Sequence, residues 1–357
     1  LPISETITFS ETVTGFTASD LSITGTATGC QITLTAVSST VYTASINSCT
    51  DGTVGLSLAA NSVADLSGNS GPAVIAPSGT ITTVDRTPPT VSSVAAVTST
   101  PTNASTVSYT VTFSEAVTDF TAADLTTSGT ATGCVPGVTA VSASVYTVSF
   151  ASCSEGSVGV KIAANSIQDI ASNAGPATAY AGAAAISIDR TAATVSSATT
   201  SAPAITKLSL IQFVVTFNEA VTGFTAADIA TIGSATGCQV AVNAVSSTVY
   251  NVSVSACADG TVGIKVLAAG ATDLAGNASP AADFASISVT LDTTAPTAPA
   301  FTGTTPANSK TLPIVETITF ADPVTGFTAS DLSITGTATG CQITLTAVSS
   351  TVYNAVS

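Results

Sequence analysis

No histidine and no tryptophan occur in the 357 residues, and lysine and arginine together number only 6. Without histidine, neither a Ser-His-Asp nor a Cys-His catalytic device can be built. With 21 acidic residues against 6 basic ones the net charge is -15. That surface repels nucleic acid and anionic lipid, because phosphate recognition needs Lys and Arg. No apolar run reaches the ~20 residues that span a bilayer, and no signal peptide is visible at Leu1. What the chain does have is 45% apolar residues in regular alternation, so it is not disordered by composition.

The chain repeats itself. Phe9, Phe113, Phe217 and Phe320 head matching segments 104, 104 and 103 residues apart. Cysteines recur at Cys30/Cys49, Cys134/Cys153 and Cys238/Cys257, always 19 apart, and Cys341 begins a fourth pair. Regular pairing predicts disulfides and an oxidising compartment. A metal site is the rival reading, but two thiols per repeat with no histidine do not complete a ligand set. Four domains are expected at 1–86, 87–190, 191–293 and 294–357, the first without its opening strand and the last truncated. Val13–Tyr42 is identical to Val324–Tyr353, 30 residues in a row at a spacing of 311, so the chain reads as a window on a longer secreted array.

Residues 87–190 serve as the template. Val107, Tyr109, Val111 and Phe113 alternate with Ser108, Thr110 and Thr112, the pattern of a half-buried strand. Tyr146, Val148 and Phe150 do the same, as do Val158, Val160 and Ile162. Seven strands are predicted, at 90–98, 106–114, 124–129, 138–142, 145–151, 157–163 and 184–189. The fold class is therefore all-β, a tandem array of seven-stranded immunoglobulin-like β-sandwiches, with a barrel as the rival. Alternating strand direction sends the loops 115–123 and 165–176 to one pole and both cysteines to the other, where a disulfide can close.

Acidic residues are scarce, so their recurrence is informative. Glu115, Glu219 and Asp322 open the loop after the second strand. Asp124, Asp228 and Asp331 open the third strand, while Asp169 and Asp273 sit in the loop after the sixth, four residues before Asn173 and Asn277. Asp85, Asp189 and Asp292 lie in the linkers. The topology gathers these at each junction, for instance Asp85, Glu115, Asp124 and Asp169. Crowded carboxylates repel unless a cation neutralises them, and calcium accepts 6–8 oxygen ligands in flexible geometry. Calcium at each junction is the expectation. The alternatives are turn-capping by these residues and ion pairs of Asp85 with Arg86 and Asp189 with Arg190. The recurring phenylalanines and tyrosines, such as Phe120 and Tyr146, read as core rather than as sugar-stacking platforms.

The segments FSEAVTDFTAADL (113–125), DLAGN (273–277) and LDTTAP (291–296) resemble the bacterial immunoglobulin-like repeats of large cell-surface adhesins. The resemblance implies an immunoglobulin-like fold, export to the bacterial cell surface, tandem stacking and, in some members, calcium between domains. The cysteine pair departs from many such repeats. Function is then expected to be non-catalytic: a structural or adhesive shaft segment of an extracellular protein. Its partners are neighbouring repeats of the same chain, with other copies in a polymer, or a cell-surface receptor or glycan, beyond them. A subunit of a self-assembling filament, sheath or surface layer is the alternative, suggested by incomplete sandwiches at both ends, and a carbohydrate-binding array is the second. An enzyme is the least favoured reading, since paired carboxylates that recur in every repeat at linker positions do not look like one catalytic site.

Overall fold

The computed structural model describes residues 2–303, 305–306, 309–310 and 312–357. The chain is all-β, apart from short 3-10 turns. It divides into two compact units, Leu1–Thr191 with Leu274–Asn277, and Ala192–Asp273 with Ala278–Ser357.

In the first unit, residues 87–190 show how the alternation becomes a core. Strands β1 (Val91–Ala96), β2 (Thr106–Phe113), β3 (Leu125–Ser128), β4 (Val135–Ala140), β5 (Val145–Ala151), β6 (Gly156–Ile162) and β7 (Ile186–Ile188) follow in order. They form a four-stranded sheet, β1-β2-β5-β4, and a three-stranded sheet, β3-β6-β7. All pairings are antiparallel. The sheets share one core: Val107, Tyr109, Val111 and Phe113 from β2 and Tyr146, Val148 and Phe150 from β5 meet Val158, Val160 and Ile162 from β6 and Ile186 from β7. The period of two puts these side chains on one face. The fourth strand begins at Val135, three residues earlier than its apolar alternation suggested, because Val135 and Pro136 pair with Ala151 and Phe150 beyond the periodic stretch.

Polar atoms inside this core are satisfied. The Tyr109 hydroxyl donates to the Val158 carbonyl at 2.6 Å and accepts from Ile186 N–H at 3.1 Å, tying the two sheets together. Burial pushes its pKa up, partly offset by the Ile186 bond. Phe113, Phe120 and Tyr146 form an edge-to-face triad with centroids 5.0 to 5.8 Å apart. Each such pair contributes ~0.5–1.5 kcal/mol beyond its buried area. The triad recurs as Phe9/Phe16/Tyr42, Phe217/Phe224/Tyr250 and Phe320/Phe327/Tyr353, so the recurring rings fill cores. Gly129 closes β3 at φ +101°, where an added Cβ would lie 2.2 Å from the Ser157 carbonyl oxygen; only glycine admits that approach.

Elsewhere the first unit holds the three-stranded sheet of Ile3–Thr8, Val41–Asn47 and Gln31–Ala36, facing a four-stranded one of Leu21–Gly25, Gly52–Leu58 and Thr82–Val84, with Ala76–Pro77 also paired to Gly52–Leu58. In the second unit, Val195–Thr200, Leu210–Phe217, Val249–Ser255 and Gln239–Ala244 form the four-stranded sheet, over Ile229–Ile232, Gly260–Val266 and Val289–Leu291. Ala300–Gly303, Val315–Thr319, Val352–Val356 and Thr344–Ala347 form a further four-stranded sheet. Disulfides join Cys30–Cys49, Cys134–Cys153 and Cys238–Cys257, with Cα atoms 4.1, 4.1 and 4.2 Å apart. Cys341 is a free, exposed thiol.

Candidate functional site

Three carboxylates meet in the first unit. Asp85 follows the short strand Thr82–Val84, Glu115 lies two residues past β2, and Asp169 follows the bridge residues Ile167–Gln168. One oxygen from each lies within 4.8 Å of the others. Asp169 is only 3% exposed. Its position is set locally: Oδ1 accepts from Asn173 N–H and Oδ2 from Asn173 Nδ2, both at 2.8 Å. The same Asn173 Nδ2 donates to the Asp85 carbonyl at 3.1 Å, so one side chain orients two members of the cluster.

The electrostatics divide the trio. Burial pushes the Glu115 carboxyl above its ordinary value, and the charges of Asp85 and Asp169, a hydrogen bond with Asp85 and the more distant charge of Asp51 push it the same way. For Asp169, burial opposes ionisation, but the hydrogen bonds from Asn173 and from the Ala171 and Ser172 backbone outweigh it and hold the carboxyl low. Asp169 thus supplies a fixed negative charge and Glu115 a strained one. A cation among the three would relieve that strain, and hard oxygen donors suit calcium.

Asp124, the fourth member expected here, is not part of this cluster. Its Oδ2 accepts from Thr121 N–H at 2.8 Å and Thr121 Oγ1 at 3.0 Å, capping the 3-10 turn Ala122–Asp124. Asp228 with Thr225 and Asp331 with Thr328 repeat this box, so local capping has taken these side chains. Asp189 accepts at Oδ1 from Thr191 N–H at 3.0 Å, and its carbonyl accepts from Asn277 Nδ2 at 3.1 Å, within the first unit. In the second unit, Asp273 is 4% exposed and pairs in register with Val221, two residues after Glu219. Asp292 accepts from Thr294 N–H at 3.1 Å, and Asp322 lies exposed in a bend.

The arginines do not pair with the neighbouring aspartates. Arg86 Nη1 donates to the Cys49 carbonyl, and Arg190 Nη1 to the Cys153 carbonyl at 2.8 Å. Lys265 and Asp283 form an ion pair at 2.8 Å.

A second set of acids escaped the sequence reading. Asp51 Oδ1 accepts from Arg86 N–H at 3.1 Å and its Oδ2 from Thr87 Oγ1 at 2.6 Å. Glu155 Oε1 accepts from Arg190 N–H at 2.8 Å and Thr191 Oγ1 at 2.9 Å. Asp259 takes Thr293 N–H at 2.9 Å, with Thr293 Oγ1 and Thr294 Oγ1 each at 2.7 Å. The signal was present: each acid stands two residues after the second cysteine of its pair. These hydrogen bonds, that of Thr293 foremost, hold the Asp259 carboxyl below its ordinary value.

The family model for the bacterial Ig-like domain matches residues 3–81 and 85–186. Among solved structures, invasin, a bacterial integrin-binding protein, is similar at 12% identity and a TM-score of 0.33, over 90% of this chain and 68% of that one. Domains 1–6 of the surface layer protein SbsC are similar at 11% identity and a TM-score of 0.20, over 99% of this chain and 61% of theirs. Likenesses this distant carry no functional argument. No curated protein matches the sequence.

Proposed function

The chain belongs to the bacterial Ig-like domain family, and we propose that it is a non-catalytic shaft segment of a secreted bacterial cell-surface protein, a tandem array of disulfide-stapled, seven-stranded sandwiches stiffened by calcium. The observation that carries this reading is the meeting of Asp85, from a linker, with Glu115 and Asp169, from two loops of the domain that the linker enters. Calcium there would draw its oxygens from these three carboxylates and from nearby carbonyls, joining linker to domain and cancelling the mutual repulsion. The sheet order of residues 87–190, four strands against three, matches the constant-type immunoglobulin arrangement. Rotary-shadowed or negatively stained particles of the chain should be extended threads that straighten on adding calcium. Compact globules, with or without the ion, would refute the shaft.

A second reading, a subunit of a self-assembling filament or surface layer, is favoured by one surface. Two equivalent sheets of the first unit have uncharged outward residues: Thr6, Thr43 and Thr35 lie in one cross-strand row, and Thr110, Thr147 and Thr139 in its counterpart. On a chain of net charge -15, such faces are where copies could approach without opposing carboxylates. A regular lattice in the microscope would select this reading over isolated threads.

A further inference from the structure

We infer that the acid following each disulfide is a tension-bearing latch, which lets the domain resist pulling at the linker more strongly than its last strand alone could. The inference rests on the shaft reading, because only a chain loaded along its length needs such a device. The strand that ends the first domain, Thr82–Val84, pairs with Gly52–Val54 over just three positions. Tension on the linker would fall on those three positions of pairing. Asp51 lies immediately before Gly52 and carries the ladder past its natural end, its carboxylate oxygens accepting from Arg86 N–H and the Thr87 hydroxyl. Such charge-assisted bonds are roughly twice as strong as neutral ones.

The latch is anchored covalently. Cys49, two residues before Asp51, is bonded to Cys30, and its carbonyl accepts from the Arg86 guanidinium. Thr28 and Thr50 brace the same loop through Thr28 N–H to Thr50 Oγ1 at 2.9 Å and Thr50 N–H to the Thr28 carbonyl at 2.9 Å. Load entering at Arg86 and Thr87 is thereby handed to a cross-linked loop. Residues 87–190 rebuild the device with a longer acid: Glu155 holds Arg190 and Thr191, Cys153 is bonded to Cys134, and Arg190 Nη2 adds a bond to the Ala104 carbonyl at 2.9 Å. The second unit does so without an arginine, Thr293 and Thr294 both binding Asp259. Three different residue sets reach one outcome: the linker's first residues are tied to the disulfide loop.

The test is single-molecule pulling of the full chain by its ends, with the variant Asp51→Ala, Glu155→Ala, Asp259→Ala for comparison. At fixed force the triple variant should unfold about tenfold faster or more, while its urea midpoint without load moves little. The corresponding Asn variant, which keeps an acceptor and loses the charge, should fall between. Reducing the disulfides should lengthen each release by about 65 Å, from 19 residues at ~3.4 Å each, and should weaken the parent chain more than the triple variant. Unchanged unfolding under force would overturn the latch. So would a loss of mechanical and unloaded stability in equal proportion, which marks ordinary structural bonds. Compact particles in the microscope would instead remove the shaft and leave a positive pulling result standing.

Discussion

Asp65 and Asp169 stand at equivalent places, 104 residues apart, and make the same bonds. Asp65 accepts from Asn69 N–H at 2.8 Å and Asn69 Nδ2 at 2.7 Å, as Asp169 does from Asn173. In both, the asparagine bonds help to hold the carboxyl low, although at Asp169 burial is the larger, opposing influence. Their surroundings differ. Asp169 is nearly buried beside Asp85 and Glu115, and Pro89 lies so close over Gly175 that an added Cβ would sit 2.2 Å from its carbonyl oxygen. Nothing lies within 4 Å of the equivalent point on Gly71. The comparison separates two causes. The Asp-x-x-x-Asn turn forms from local sequence alone, whereas the acidic cluster exists only where a linker is laid across that turn.

The strongest way to break the comparison is at the glycines. Gly175→Ala should force the linker off its seat and cost about 2 kcal/mol, read from the urea transition of residues 87–190. Gly71→Ala should be neutral or stabilise by ~0.5 kcal/mol. Equal effects at the two sites would mean that Pro89 is not seated as described. Next in size are the asparagines. Asn173→Ala strips donors from a nearly buried carboxylate and should cost roughly 1–3 kcal/mol, with Asn69→Ala, at an exposed site, costing less.

The pH dependence sharpens the contrast further. A carboxyl held low, as at Asp65 and Asp169, adds stability above its ordinary value, and that stability is lost as pH falls through the lowered one. Glu115 has the opposite sign. Its raised folded value means that stability falls as pH climbs from the ordinary carboxylate value through the raised one. Without divalent cations, Glu115→Gln should abolish this alkaline-side loss, which denaturation midpoints at a series of pH values would detect. If the loss persisted in the variant, the strain assigned to Glu115 would belong elsewhere.

Much of this was legible in the sequence, for identifiable reasons. Alternation at Val107–Phe113 and Tyr146–Phe150 reports burial directly, because a strand's side chains change face at every residue. The carboxylates were harder, since recurrence marks a position without saying whether its side chain is already committed. Asp124 recurs as faithfully as Asp169, yet Thr121 three residues before it closes a capping box. The Thr-x-x-Asp spacing was there to be read. Asp51, Glu155 and Asp259 were overlooked because their partners lie 34–36 residues away, a distance that no local pattern spans.

The most direct measurement is calorimetric titration of the full chain with calcium, beside the variants Asp169→Asn and Asp65→Asn. A saturable heat that Asp169→Asn diminishes and Asp65→Asn leaves intact is expected, since only the first aspartate has a linker carboxylate and Glu115 beside it. No heat at millimolar calcium, or equal loss in both variants, would contradict a cation site built where linker meets domain.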